Sequence, residues 1–233
     1  MRNLFLALAL TVGSLSATPS DATVYVVHGI PGTALGSSST DLPVDIKVNG
    51  SCVAALSGLN FGEIRGPLAL PAPAVYTVEI KPANTLNPCG NATVLSSSAA
   101  VTPGINASVV AHLKANGTPF ISVFVNDVSR TDPGQGRVVL HHTAQAPAVD
   151  VRAFRGQGKG NVPSIDVPGF SNGAQVPAEL RPGQWRVTLS AGGAVVFGAE
   201  NLLVQPNTVQ LVYAIGTFPD SFTLVTKTIP ANR

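Results

Sequence analysis

Two pairs of ionisable side chains occupy matched places in the sequence. His28 is followed by Asp45, and His141 is followed by Asp150 in a second segment of similar pattern. In each pair the His ends one apolar run, and the Asp lies within the next run between apolar neighbours. An imidazole and a carboxylate can transfer a proton together, ligate a metal ion, or hydrogen-bond to each other and to the turn between them. The residues around the pairs decide among these roles.

The surroundings of the two pairs favour a structural role. The serine runs 37–39 and 96–98 form no Gly-x-Ser-x-Gly elbow and adjoin no His, so the pairs lack a nucleophile. Each pair alone supplies too few ligands for a closed metal site, and a site shared by His28, His141 and His142 is the alternative. We therefore expect the pairs to hold their loops by hydrogen bonds, with no catalytic residue, no metal and no cofactor.

The chain contains two cysteines, Cys52 and Cys89, both in its first half. In an exported protein such a pair is expected to be oxidised. The chain-entropy model gives about 4 kcal/mol for a disulfide that closes a loop of this length. The alternative is a pair of free thiols in a zinc or redox site, which the absence of a C-x-x-C motif disfavours.

The His/Asp segments belong to a longer internal repeat. Pro73–Ile80, which contains Tyr76, is echoed by Pro182–Leu189, which contains Trp185. Matching positions are separated by the length of one domain, so the sequence indicates a duplicated domain and not a solenoid. A large ring at this place in a strand usually plugs the space between two sheets, so we expect Tyr76 and Trp185 to be buried.

Periodicity and turn composition predict an all-β fold. Period-two alternation and β-branched runs occur throughout, and the chain holds 23 Gly and 19 Pro. We expect about eight short strands in each half, among them a third strand at Cys52–Ser57 and one at Thr208–Ile215. The prediction is two tandem immunoglobulin-like antiparallel β-sandwich domains, residues 23–128 and 137–233, joined by a linker at residues 129–136.

The charge of the chain limits its partners. Charged residues make up 11% of the chain, well below the roughly 25% of an average soluble domain, and the net charge is +2. Because Lys and Arg form no cluster, no nucleic acid is expected as a partner. The Gly-rich run at residues 156–160 is expected to form a loop or hairpin and not a phosphate cradle, since no Lys-Ser/Thr follows it.

The N-terminal segment is typical of a secretory signal peptide. Met1–Val12 has one basic residue ahead of an apolar run that is too short to span a bilayer. We assign residues 1–22 to this signal, with cleavage after Ala22 favoured over cleavage after Ala17. The sequence offers no cysteine for a lipid and no apolar C-terminal tail. We expect a mature protein without a transmembrane anchor that is secreted, periplasmic or at the cell surface.

Several motifs of the chain resemble those of a known family. They are a strand ending in Val-Val-His, a Pro-Val-Asp strand, the run Leu56–Gly62 and a Pro-led Tyr-Thr-Val-Glu strand. Together they resemble the family called domain of unknown function 4397. Phe124–Arg130 is similar to the junction of its two-module members. The second half fits at Ala146–Val151 but offers only Pro168–Phe170 where Gly-Leu-x-Phe-Gly is expected.

The resemblance implies a type of protein and not an activity. Members are bacterial exported or cell-surface modules, commonly in tandem and expected to be immunoglobulin-like sandwiches. The family implies no catalytic residues.

Three functions are compatible with these features. The favoured one is a non-catalytic exported protein that mediates contacts at the cell envelope or in the extracellular matrix, with matrix or envelope components or a second copy of itself as partner. The first alternative is a soluble protein that binds a carbohydrate or small ligand. A hydrolase with an unrecognised site is the second alternative. Because no reactive constellation is visible, we expect that the protein is not an enzyme.

Overall fold

The computed structural model describes residues 21–155 and 165–232, without the side chains of residues 199 and 200. The predicted signal peptide lies outside this part of the chain except for its last two residues, and the Gly-rich run 156–160 lies wholly outside it. Ala22 is buried and begins the first strand. Cleavage after Ala17 would leave this strand complete, whereas the favoured cleavage after Ala22 would shorten it.

The first repeat consists of eight strands and two 3₁₀ turns, and the strands alternate inward and outward side chains as period-two patterning requires. The strands are β1 (Ala22–His28), β2 (Val44–Val48), β3 (Ser51–Cys52), β4 (Ile64–Leu70), β5 (Ala74–Pro82), β6 (Leu95–Val101), β7 (Asn106–Leu113) and β8 (Pro119–Val125). The 3₁₀ turns are Gly32–Leu35 and Ala54–Leu56.

The second repeat, within the described residues, has strands in the same succession. They are β9 (Gly136–His142), β10 (Val149–Arg155), β11 (Ile165–Phe170), β12 (Gln175–Leu180), β13 (Gly183–Ala191), β14 (Ala194–Val204), β15 (Thr208–Ile215) and β16 (Thr223–Pro230).

Each repeat folds into a sandwich of two four-stranded sheets. The first has the sheets β4-β1-β7-β8 and β3-β2-β5-β6, and the second has β12-β9-β15-β16 and β11-β10-β13-β14. Since the strand order is the same in both, the predicted tandem all-β sandwich fold is confirmed. One detail differs from a purely antiparallel prediction: β1 pairs with β7, and β9 with β15, in parallel.

The repeated aromatic residues fill the sandwich cores as predicted. Tyr76 and Trp185 are both buried in the core of their own repeat. The hydroxyl of Tyr76 donates to the carbonyl of Pro71 at 2.6 Å, and the indole N–H of Trp185 donates to the carbonyl of Arg181 at 2.9 Å. Each ring therefore satisfies its one polar group on the turn just before its strand.

A third apolar core lies between the repeats, where the sheet containing β1 and β7 faces the sheet containing β9 and β15. Tyr25 and Val27 of β1 pack in one cluster with Leu211 and Tyr213 of β15. The Tyr213 hydroxyl donates to Oγ of Ser108 at 2.6 Å inside this cluster. The two sandwiches therefore stack through an apolar interface in addition to their own cores.

The connection between the repeats is held by hydrogen bonds. Arg137, at the start of β9, donates from Nη1 to the carbonyls of Asp127 and Ser129 at 2.7 and 3.2 Å. Its Nε donates to Glu179 at 2.7 Å. Asn126, which is buried, donates to Oδ1 of Asn106 at 2.8 Å. Arg137 of the second repeat thus binds both the end of the first repeat, at Asp127, and the start of the predicted linker, at Ser129.

One predicted strand is wrong. Of Cys52–Ser57, only Cys52 is in a strand, and Ala54–Leu56 form a 3₁₀ turn. The turn places Leu56 in the core, and Arg65 binds the carbonyls of Ala55 and Ser57 through Nη1. These side-chain bonds take the place of a strand partner.

No helix of the described residues is long and apolar enough to cross a membrane.

Candidate functional site

The connection between β5 and β6 in the first repeat is a long loop, residues 83–94, which we call the β5–β6 loop. The predicted disulfide is present: Cys89 of this loop is bonded to Cys52 of β3, with their Cα atoms 5.9 Å apart. Cys89 has a φ of 61°, a left-handed conformation that residues other than glycine rarely adopt. The bridge therefore fixes the middle of the loop to the neighbouring strand.

Asp45 of β2 also holds this loop, through hydrogen bonds to its backbone. Its carboxylate is 2% exposed and accepts three backbone N–H bonds, from Gly58 at 2.9 Å, Asn84 at 3.0 Å and Cys89 at 2.8 Å. Burial raises the pKa of the Asp45 carboxyl, but the three N–H donors outweigh it and hold this pKa below its ordinary value. The carboxylate is therefore ionised and committed to the loop.

The tip of the loop is shaped by its own side chains and exposes an apolar residue. Oδ1 of Asn84 accepts the backbone N–H groups of Leu86 and Asn87, both at 3.1 Å. At the far end, Nδ2 of Asn91 donates to Pro82 at 3.0 Å, and Nζ of Lys81 donates to the carbonyl of Asn91 at 3.0 Å. The side chain of Leu86 at the tip is 96% exposed.

The second repeat keeps the scaffold but has no such loop. Asp150 accepts the N–H of Gly169 at 2.9 Å, as Asp45 accepts that of Gly58. Here β13 and β14 are joined by only Gly192 and Gly193, both with positive φ, which form a tight hairpin turn. The β5–β6 loop is therefore an addition specific to the first repeat.

The sequence patterns matched His28 with His141. In the structure, the residue equivalent to His28 is the next one, His142. The backbone N–H of His28 donates to the carbonyl of Glu63, and its ring Nε2 donates to the carbonyl of Leu42 at 3.1 Å. The backbone N–H of His142 likewise donates to the carbonyl of Ala174, and its ring Nε2 donates to the carbonyl of Pro147 at 3.2 Å. In both cases the imidazole ties the loop after its strand to the sandwich.

His141 has a different position because adjacent residues of a strand face opposite sides. It lies against the core between the repeats, stacked on Tyr213 at 4.3 Å between ring centroids and edge-on to Phe124 at 4.8 Å. Its Nδ1 donates to the carbonyl of Val212 at 3.2 Å. Burial lowers the pKa of His141 to about 4, so the imidazole is neutral near pH 7.

His112 is a buried histidine that the sequence patterns did not single out. Its Nδ1 donates to the carbonyl of Leu113 at 3.0 Å, and its Nε2 accepts the hydroxyl of Ser122 at 2.8 Å. Burial lowers the pKa of His112, as it lowers that of His28 and His142. All four histidines of the chain are thus buried with lowered pKa values.

The predicted His/Asp pairs do not bond to each other in the part of the chain that the structure describes. His28 bonds to Leu42 and Asp45 to backbone N–H groups, and the second repeat repeats this division between its equivalent residues. No group of three or more His, Cys, Asp or Glu side chains that could hold a metal ion occurs among residues 21–155 and 165–232. Each member of a pair thus holds a separate loop.

Comparison with known proteins identifies the family. The family model described as "Domain of unknown function (DUF4397)" matches residues 22–152, more than half of the chain. The chain belongs to this family. The match covers the first repeat and extends to β10 of the second. No curated protein matches the chain.

Two solved structures are similar to this member of the DUF4397 family. The Bacillus anthracis TIE protein is 11% identical, with a TM-score of 0.28 and 89% of this chain covered. The chain spans 34% of the length of that structure. A protein from Bacteroides ovatus, described as having a proposed role in cell adhesion, is 10% identical with a TM-score of 0.28, and 93% of this chain and 99% of that one are covered.

Proposed function

We propose that this protein is a non-catalytic exported contact protein, and that the β5–β6 loop of its first repeat is the contact site. One observation carries the proposal: Leu86 is 96% exposed at the tip of a loop that a disulfide and a buried carboxylate hold in place. Ordering a loop costs conformational entropy, and an ordered loop loses less entropy when it binds. A rigid loop that exposes a large apolar side chain is therefore suited to insertion into a partner.

The composition of the loop favours a protein partner over a carbohydrate. Residues 83–94 contain no charged and no aromatic side chain. Sugar rings commonly bind to proteins by stacking on aromatic faces, which this loop lacks. Asn87 and Thr85 flank Leu86 and are exposed, so an apolar anchor is surrounded by uncharged hydrogen-bonding groups.

Export to an oxidising compartment is supported by the disulfide, since such bonds persist outside the cytosol. The non-catalytic assignment is supported by the bonds of the ionisable residues. Asp45 binds three backbone N–H groups, and each histidine donates to a backbone carbonyl. Ionisable side chains that bond to the backbone in this way stabilise the fold.

The test is a binding titration of the purified protein on envelope preparations of its host cells, with Leu86→Ser compared against Leu203→Ser. Leu203 is 49% exposed and lies on β14 of the other repeat, which makes it a matched control. We expect Leu86→Ser to weaken saturable binding at least tenfold, because an apolar anchor is lost, and to leave the melting temperature unchanged. Leu203→Ser should bind like the wild type.

Equal affinity of Leu86→Ser and wild type would refute the loop as contact site. Sedimentation of the same variants distinguishes the partners, because a second copy of the chain as partner makes the wild type dimerise and Leu86→Ser remain monomeric. A glycan array serves the carbohydrate alternative: saturable glycan binding that Leu86→Ser leaves intact would favour that function instead.

A further inference from the structure

The second sandwich encloses a cavity of about 210 Å³ between its two sheets. Leu140, Val151 and Leu189 are among the buried side chains of its wall. Asn201 and Thr226, on the edge strands β14 and β16, also line it and are exposed, so the cavity reaches the surface between these two strands. An apolar cavity of 150 Å³ in a protein core binds benzene, so this one has room for about nine non-hydrogen atoms.

Two histidines line the cavity, and each has a buried ring nitrogen without a hydrogen-bond partner among the described residues: Nε2 of His141 and Nδ1 of His142. The His141 ring is stacked on Tyr213 toward the core between the repeats, which leaves His142 as the better placed of the two. His142 is 1% exposed and lines the cavity, and its Nε2–H is already bonded to the carbonyl of Pro147. Its Nδ1 is buried and has no hydrogen-bond partner among the described residues. With the proton on Nε2, the Nδ1 lone pair is an acceptor. Buried acceptors in folded proteins are nearly always paired with protein or ordered water, so this atom can accept a hydrogen bond from a molecule in the cavity.

The first repeat has the same unpaired atom in its equivalent histidine, since Nδ1 of His28 is also buried without a partner among the described residues. Its sheets enclose a smaller space of about 150 Å³, lined by apolar residues and Tyr76. The Tyr76 hydroxyl is already bonded to Pro71, and His28 is not among the residues described as lining that space. Among the described residues, a buried free acceptor whose histidine also lines the cavity is therefore particular to the second repeat.

We propose that the second sandwich binds a small apolar molecule with a single hydroxyl group, of the size of an alkylphenol, and that this hydroxyl donates to Nδ1 of His142. The apolar body of the ligand replaces empty space against the aliphatic wall, which is favourable because each surface atom gains contacts. The hydroxyl pairs the buried acceptor and sets the orientation. Phe222, half-buried and edge-on to Phe197 at 4.9 Å, covers the ligand from the mouth. This site lies outside the β5–β6 loop and does not depend on the proposed contact function.

The experiment compares 4-ethylphenol with 4-ethyltoluene, which has the same shape without the hydroxyl donor, by calorimetric titration of the full chain. We expect the wild type to bind 4-ethylphenol about 2- to 12-fold more tightly, the range of one net hydrogen bond. His142→Leu should remove this preference. His28→Leu is the matched control, since it breaks the equivalent bond to Leu42 but leaves the cavity unchanged.

A second pair of variants tests the cavity independently of His142. Leu224→Trp fills the mouth from β16 and should abolish binding of both compounds, whereas Leu203→Trp on the outer face of β14 should not. Equal affinity of the wild type for the two compounds would overturn the hydroxyl-to-His142 bond. Undiminished binding to Leu224→Trp, or no saturable binding to the wild type, would overturn the site itself.

Discussion

Replacing Asp45 by Ala should destabilise the protein far more than replacing Asp150 by Ala, although both occupy the same place in their repeats. Within residues 21–155 and 165–232, Asp45 accepts three backbone N–H bonds and Asp150 accepts one, from Gly169. The Cys89 bond is fully buried, so its N–H has no water to replace the lost carboxylate. The Asp150 bond is exposed, and water can take its place.

The magnitude follows from these bonds. A hydrogen bond to a charged group contributes about 1.5–3 kcal/mol, and rehydration of the partly exposed N–H groups of Gly58 and Asn84 recovers part of it. We therefore expect Asp45→Ala to lower the free energy of unfolding by about 3–5 kcal/mol and Asp150→Ala by about 1 kcal/mol. For a chain of this length, a loss of about 1 kcal/mol lowers the melting temperature by about 3 °C. The melting temperature should therefore fall by about 12 °C in Asp45→Ala and by about 3 °C in Asp150→Ala.

The assay is a thermal melt of wild type, Asp45→Ala and Asp150→Ala at pH 7, with chelator and with added Zn²⁺ or Ca²⁺. Equal losses for the two variants would refute the reasoning from bond number and burial. A rise of several degrees with metal in the wild type that is missing in the Asp variants would instead place these residues in a metal site.

The same comparison has a predicted pH dependence. The pKa of Asp45 is held below its ordinary value of 3.8, so the unfolded state takes up this proton first as the pH falls. The stabilising effect of the carboxylate is complete above that value and is lost as the pH falls through the folded pKa. The gap between wild type and Asp45→Ala should therefore persist at pH 5 and narrow below about pH 3.8.

Two further predictions concern the disulfide and the buried histidines. The native protein should show no alkylatable thiol before reduction, and free thiols would contradict this. Reduction of Cys52–Cys89 should cost about 4 kcal/mol in the first repeat, while the second repeat keeps its melting behaviour. Burial lowers the pKa of His141 from 6.5 to about 4, so acid protonates the unfolded state first and the free energy of unfolding should fall by up to about 3 kcal/mol between pH 6.5 and pH 4. Urea titrations of wild type and His141→Gln should show a smaller fall in the variant, and equal falls would contradict the assignment.

The strands could be predicted from sequence because their signal is local. Thr208–Ile215 is rich in β-branched residues, and the structure has a strand with the predicted bounds. The burial of Tyr76 and Trp185 follows from their matched positions in the repeat. The disulfide follows from there being two cysteines in a chain with a predicted export signal.

The match of the histidines failed because strands are sensitive to a shift of one residue. The sequence offers His141 and His142 side by side, and neighbouring residues of a strand face opposite sheet surfaces. Backbone pairing alone decides which one corresponds to His28, and that pairing connects strands that are distant in the sequence. The core between the repeats escaped prediction for a different reason. β1 and β15 are buried on both faces, and their outward residues are as apolar as their inward ones.

The β5–β6 loop could not be recognised from composition because what orders it is contributed by residues far along the chain. Asn84 and Cys89 bond to Asp45, which lies in another strand, and residues 83–94 on their own have the composition of any polar loop. A comparison of the two repeats would have revealed it. The segment between the Tyr76 strand and the next strand is long, whereas the corresponding segment after the Trp185 strand is reduced to Gly192 and Gly193.

In a duplicated protein, departures from the repeat are the places to look for function. Asp45 uses Oδ1 for Gly58 just as Asp150 uses Oδ1 for Gly169, and this shared bond serves the scaffold. The β5–β6 loop is held by Oδ2 of Asp45, an atom that the shared bond leaves free, so the loop could be added without giving up the original contact. Selection for folding alone explains the Oδ1 bond in both repeats. It does not explain an ordered loop that leaves Leu86 in water, because that exposure gives the isolated molecule no stability.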